Sequence, residues 1–242
     1  MTSRPPPPSL LDGASLFLDF DGTLVDFVSR PDAISVDPAL RGLLVNLQER
    51  FAGRVAVISG RGLDDISGLL DIDGLALAGS HGLEYRMSGG TTVRSDPPEA
   101  IQTVFAEATA FAGANGLLAE LKPAAVALHY RNCPEQSGET LEFAGALAAR
   151  HELLVQKGAM VVEIRAPGAD KGTILRHFMA EPPFTIGRPV FVGDDLTDED
   201  AFRAADELGG TGILVGKLRD SAAKYRLADV SAVRSWLSWS DA

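Results

Sequence analysis

Among 242 residues there is a single cysteine, Cys133. One thiol excludes an intramolecular disulfide framework and fits a reducing compartment. No catalytic partner pattern surrounds it, so its expected role is that of a small buried hydrophobe. Basic residues are in deficit too: 22 Lys and Arg against 33 Asp and Glu leave a net charge of −11. Such a balance argues against nucleic-acid or anionic-membrane partners, and it repels a phosphorylated substrate unless a metal ion or a few local cations reverse the field. No apolar run approaches the length of a membrane span. The leading MTSRPPPPSLLDGAS lacks the apolar stretch of a secretory signal, and its four prolines predict a disordered polyproline II tail over residues 1–14. A soluble, cytoplasmic monomer is expected.

What is present is ordinary globular material, 45% hydrophobic and 23% charged, with ample apolar residues for a core. Strand and helix signals alternate at both ends of the chain. SLFLDF, RVAVIS (54–59) and LALAGS (75–80) are short apolar runs. Between the first two, PALRGLLVNLQERF (38–51) places Leu40, Leu43, Leu44 and Leu47 at helical spacing, with Asp37 as N-cap and Pro38 at the first position. GLDDISGLL (62–70) predicts a short helix. The last third repeats the rhythm: helix near 170–180, strand PVFVGD (189–194), helix near 197–207, strand TGILVG (211–216) and helix near 231–238. Continuous apolar strands separated by helices predict parallel βαβ units.

From about 84 to 166 the pattern changes. In AVALHYR (125–131), Val126, Leu128 and Tyr130 oppose Ala127, His129 and Arg131; in AMVVEIR (159–165), Met160, Val162 and Ile164 oppose Val161, Glu163 and Arg165. This alternation predicts a half-covered sheet, with helices near 97–113 and 134–150 over its apolar face. The expected organisation is α/β: a doubly wound, mainly parallel Rossmann-like core from 15–84 and 167–242, with a smaller α/β cap domain inserted at 85–166.

The first strand ends in an unusual way. Asp19 and Asp21 are two residues apart and share a strand face, roughly 7 Å apart at their Cα atoms. Like charges that close raise each other's pKa unless a cation settles the field. A strand cap followed by an Asp-Gly turn is the ordinary explanation. Three further signals also fall at strand ends or just beyond: Ile58-Ser59-Gly60-Arg61, Asp170-Lys171-Gly172, and the acidic GDDLTDED from Gly193 to Asp200. Each alone reads as a strand end, a solvated helix start or a helix N-terminus favoured by the macrodipole. Jointly, at the edge where open α/β sheets bind ligands, they supply carboxylates, a hydroxyl and an ammonium. That inventory suits Mg2+-assisted phosphoryl transfer.

These motifs resemble those of the haloacid dehalogenase superfamily of phosphotransferases. DFDGTL, SRPDA (29–33), ISGR, GSHGLEY (79–85), ALHYR (127–131), VVEIR (161–165), GADKGT (168–173) and FVGDDLTDEDAF (191–202) together resemble the trehalose-6-phosphate phosphatase family, over about residues 15–205. The resemblance implies Asp19 as the nucleophile that forms an aspartyl-phosphate and Asp21 as general acid and then base. It implies Ser59, Gly60 and Lys171 as phosphate-binding residues. Mg2+ would be held by Asp19, the Asp21 carbonyl and Asp194, with Asp195 and Asp198 in support. Phe20, pointing the other way, would be core.

Glu120 and Lys122 share a face if that stretch is a strand, as do His129 with Arg131 and Glu163 with Arg165. The resemblance makes Glu120, Lys122, His129, Arg131 and Glu163 candidate contacts to a disaccharide phosphate; a solvated sheet face is the plain alternative. One departure stands out. Members of the family often carry a lysine four residues before the glutamate of VVEI, where this chain has Ala159; either a shifted backbone lets Lys157, on the other side of Gly158, substitute, or one sugar contact is missing. A related capped phosphatase acting on sucrose phosphate, mannosyl-phosphoglycerate or a hexose phosphate shares every core motif. A non-catalytic phospho-binding module is the rival of another class.

Overall fold

The structure, a computed structural model, describes residues 4–26, 34–94, 99–122, 125–158, 160–167 and 170–239. It divides into two compact units, Met1–Arg94 with Asp170–Ala242, and Ser95–Ala169. In chain order the elements are β1 (Ala14–Leu18), α1 (Pro38–Arg50), β2 (Val55–Ile58), α2 (Leu63–Leu70), β3 (Ala76–Gly79), β4 (Glu84–Arg86), β5 (Thr92–Arg94), α3 (Ala100–Asn115), β6 (Leu118–Lys122), β7 (Ala125–His129), α4 (Ser137–Arg150), β8 (Leu154–Gly158), β9 (Val161–Arg165), α5 (Lys171–Ala180), β10 (Arg188–Gly193), α6 (Glu199–Glu207), β11 (Thr211–Val215), β12 (Tyr225–Leu227) and α7 (Val230–Leu237).

The larger unit is a doubly wound sheet. Among the described residues it holds eight strands in the order β12-β11-β10-β1-β2-β3-β4-β5, parallel from β12 to β3. Strands β1, β2, β3 and β11 are buried at every position, which is why they read as unbroken apolar runs. Side-chain alternation then feeds two cores. Leu16, Leu18, Val55, Val57, Val190 and Val192 meet α1, α2 and α7 through Leu44, Ile66 and Val233. On the other face Phe17, Ile58 and Phe191 meet α5 and α6 through Leu175, Phe178 and Phe202. The N-cap of α1 is Asp37, whose carboxylate accepts from Leu40 N at 2.7 Å.

The smaller unit carries an antiparallel sheet in the order β6-β7-β9-β8. Val126, Leu128, Val162 and Ile164 pack with Ile101, Val104 and Ala108 of α3 and Ala144 and Leu147 of α4.

Three expectations need correction. The proline-rich lead is packed from Arg4 onward. Arg226 N donates to the Arg4 carbonyl at 3.0 Å, the Arg4 guanidinium lies 4.7 Å over the Tyr225 ring, and Pro6 and Leu11 are buried. The smaller unit begins later than residue 85, because β4 and β5 pair antiparallel onto β3 and extend the large sheet. Strand β7 stops at His129: Tyr130 N bonds the Met160 carbonyl and Cys133 N the Tyr130 carbonyl, so Arg131 sits exposed in a turn, out of strand register with His129. The SRPDA block, Ala159 and the Gly168-Ala169 pair lie outside the described residues.

Candidate active site

The chain leaves β1 toward β2 and β3 on one side, and returns through β10, β11 and β12 on the other. The C-terminal ends of β1 and β10 therefore flank the switch point of the sheet, where a crevice opens in doubly wound folds. Asp19 follows β1 directly, anchored by its N–H to the Val192 carbonyl at 2.9 Å. Asp194 follows β10.

Lys171 opens α5, whose N-cap Asp170 accepts from Thr173 N at 2.7 Å. Its ammonium is buried and donates to Asp19 Oδ1 and to Asp198 Oδ1, both at 2.6 Å. The other Asp198 oxygen accepts from Asp194 N at 2.8 Å and Asp195 N at 2.9 Å, so Asp198 shapes the acidic loop from within. Gly193 makes this possible: a Cβ there would lie 2.3 Å from Asp198 Cγ. Asp195 turns its Oδ1 to Thr197 N and Oγ1 at 2.7 and 2.6 Å as the cap of the next helical turn. Arg219 braces the same loop from outside, pairing with Glu199 and donating to the Asp195 carbonyl.

Burial pushes the Asp19 carboxyl up to about 8, against the pull of Lys171 and aided by Asp194 and Asp195. Burial, with Asp198 and Asp195 close by, pushes Asp194 up to about 7. Burial likewise drives Asp198 well above the carboxylate range despite Lys171. Burial acts on Asp195 in the same sense but loses to Lys171 and the Thr197 hydrogen bonds, so its carboxyl stays below its usual value. Burial opposes charge on Lys171 as well, and Asp19, Asp198 and Asp195 overcome it. The cluster thus holds more carboxylate than cation. Asp19, Asp194 and Asp198 each offer an oxygen, all within 4.8 Å of one another, a donor set that fits a hard divalent cation.

Ser59 is buried at the end of β2, its N–H on the Ala78 carbonyl at 2.9 Å and its Oγ accepting from Arg61 N at 3.1 Å. Gly60 leaves room for His81, whose Nε2 would lie 2.8 Å from a Cβ at that position. Asp21 does not share the Asp19 pocket contacts. Its carboxylate takes a two-pronged pair from Arg61, Nε to Oδ2 at 2.7 Å and Nη2 to Oδ1 at 3.0 Å. Arg61 stood inside a quoted motif without a role, and spacing gave no sign that a partner forty residues upstream awaited it. Thr23, buried in the same turn, donates to Asp194 Oδ1 at 3.3 Å; it too carried no distinguishing signal. Phe20 is in the core.

In the smaller unit, strand register aligns Glu120, Ala127, Glu163 and Gln156 across the sheet. The same face carries Lys122, His129 and Arg165. Lys122 pairs with Glu163, and His129 Nε2 lies 2.8 Å from Glu120 Oε2. Lys157 is opposite Val162 and so belongs to the other face, away from Glu163.

The fold is that of a haloacid dehalogenase-like hydrolase from Bacteroides thetaiotaomicron, which superposes with a TM-score of 0.67 at 16% identity, over 92% of this chain and 97% of that one. The chain belongs to the trehalose-phosphatase family, whose model matches residues 17–231. It is 40% identical over 210 residues to a probable trehalose-phosphate phosphatase of Sinorhizobium fredii, covering 85% of this chain and 79% of the relative. It is 37% identical over 234 residues to the trehalose-6-phosphate phosphatase of Escherichia coli, covering 95% and 87%. The crystal structure of a trehalose-6-phosphate phosphatase related protein superposes with a TM-score of 0.74 at 27% identity, over 92% of this chain and 94% of that one.

Proposed function

We propose that the protein is a Mg2+-dependent phosphatase that hydrolyses trehalose 6-phosphate to trehalose and inorganic phosphate through an aspartyl-phosphate. The observation that carries this reading is the buried Lys171 ammonium, 2.6 Å from Asp19 and joined by the Asp194–Asp198 loop. A cation fixed beside a carboxylate nucleophile is what a phosphoryl group needs on arrival.

Asp19 attacks phosphorus while protonated Asp21 gives its proton to the departing sugar oxygen, and the P–O bond breaks to release neutral trehalose. Asp21 then takes a proton from the water that attacks the aspartyl-phosphate, which restores both residues and frees phosphate. Lys171, Ser59 and the Gly60 main chain hold the transferring oxygens. Mg2+ would be held by Asp19, Asp194 and the Asp21 carbonyl, with Asp198 and Asp195 ordering the loop, and neutralises phosphoryl charge when bound. Sugar recognition falls to the polar face of the smaller unit, to Glu120, Lys122, His129 and Glu163, with Arg131 beyond the strand end. The lone free Cys133 supports a reducing, cytoplasmic setting.

The test is phosphate release from a panel of sugar phosphates, with Mg2+ and with EDTA. Preference for trehalose 6-phosphate and silence in EDTA are expected. Preference for sucrose phosphate or a hexose phosphate would replace the substrate and leave the chemistry.

A further inference from the structure

Arg61 is given no role above, yet it makes a two-point contact with a carboxylate of the site. It stands two residues after Ser59 and bridges the ends of β1 and β2. Its Nε and Nη2 meet the two oxygens of Asp21 at 2.7 and 3.0 Å. Its Nη1 meets Asp65 Oδ2 at 3.0 Å, its N–H is on Ser59 Oγ, and its guanidinium lies 5.8 Å over the Phe20 ring. The Arg61 side chain is only 13% exposed, against 26% for Asp21. Burial works against the Arg61 charge, but Asp21 and Asp65 more than restore it.

Asp21 has little else to hold it. It lies on a turn closed by Gly22 N on the Val25 carbonyl at 2.7 Å. A guanidinium fork fixes the plane of a carboxylate as well as its position, which a point charge cannot do. It also occupies only two of about four acceptor positions on the carboxylate, leaving the others for a proton.

We propose that Arg61 is the positioning residue of the proton-transfer group: it aims the Asp21 carboxyl at the leaving oxygen and then at the attacking water. This rests on the reading of Asp21 as general acid and base. The sugar oxygen must gain a proton to leave, whereas p-nitrophenolate departs unaided. A misaimed Asp21 therefore slows phosphoryl transfer from a sugar phosphate and spares transfer from an aryl phosphate.

The test compares kcat/KM for trehalose 6-phosphate and p-nitrophenyl phosphate in wild type, Arg61→Ala and Arg61→Lys. Arg61→Ala should lower the sugar-phosphate value about 100-fold and the aryl value about 3-fold or less, the lower end of general acid catalysis. Arg61→Lys, which keeps the charge and loses the fork, should show the same split. Equal losses on both substrates, or full recovery by lysine, would overturn the proposal. Should Arg61→Ala fail to fold, Arg61→Lys and Asp65→Asn, which loosens Arg61 without removing it, are read on the same ratio. If the wild type ignores trehalose 6-phosphate but takes another sugar phosphate, the substrate reading fails and the ratio for that ester still decides the role of Arg61. A wild type inert toward every phosphate ester overturns both.

Discussion

A carboxylate that attacks phosphorus has to be dry enough to be reactive and charged enough to attack, and burial alone sets those demands against each other. At Asp19 the Lys171 ammonium pulls toward the charged form, burial still holds the carboxyl up to about 8, and a bound divalent cation would supply the remaining opposing charge. On the proposed role of Asp19 as nucleophile, Asp19→Asn keeps the shape and removes the attacking oxygen, so turnover of any phosphate ester should fall about 10^4-fold or more with the circular dichroism unchanged. Residual activity within tenfold of wild type would move the nucleophile elsewhere. The raised carboxyls also set a pH dependence. Asp19 and Asp194 titrate near 8 and 7 in the fold and near 4 in an unfolded chain. Folding therefore favours their protonated forms, and their contribution to stability is complete below about pH 4 and is lost as pH rises through 7 to 8. A divalent cation must displace those protons. The rise in Tm given by Mg2+ over EDTA should accordingly grow between pH 5.5 and 8.5, as thermal melts at three pH values would read; an increment that stays flat or shrinks contradicts this.

At the scale of elements, the acidic loop depends on a missing side chain. Gly193→Ala forces a methyl group onto Asp198, which should cost about 1–3 kcal/mol of stability through overpacking. Because Asp198 also orders Asp194 and Asp195, the same variant should lose most of its Mg2+-induced shift in Tm, and retention of both would show that the loop repacks freely. The elements differ in how plainly the sequence announces them. Strands β1, β2, β3, β10 and β11 were legible because burial on both faces makes them unbroken apolar runs. Short β4, β5 and β12 are held by backbone pairing to neighbours, and β5 is exposed throughout, so composition says nothing of them. In β8 the exposed Leu154 and Val155 blur the period of an edge strand. The site divides likewise. Asp19 and Asp194 follow from strand ends and Lys171 from a capped helix start, whereas the engagement of Asp195 with Thr197, the Arg61 fork and the face occupied by Lys157 depend on side-chain direction and register.

The whole molecule has separate hydrophobic cores in its two units. Leu128 is fully buried in the smaller one. Leu128→Ala should cost about 2–5 kcal/mol there, expressed in calorimetry as an earlier transition beside one for the larger unit that stays in place. Hydrolysis of p-nitrophenyl phosphate should outlast that of trehalose 6-phosphate as temperature rises; a single transition moving as one would contradict the division. The layout also has a consequence for biosynthesis. As the chain emerges from the ribosome, residues 14–94 arrive with β1 lacking its β10 neighbour and with no α5 or α6 to cover Phe17. Residues 95–169, in contrast, are one uninterrupted segment that contains its entire sheet, both helices and its own core. Domains tend to fold as units during synthesis, so the inserted segment should mature before the flanking halves that began first. The enzyme's chemistry is thus assembled last, once residue 198 has left the tunnel and brought Asp198 to Lys171.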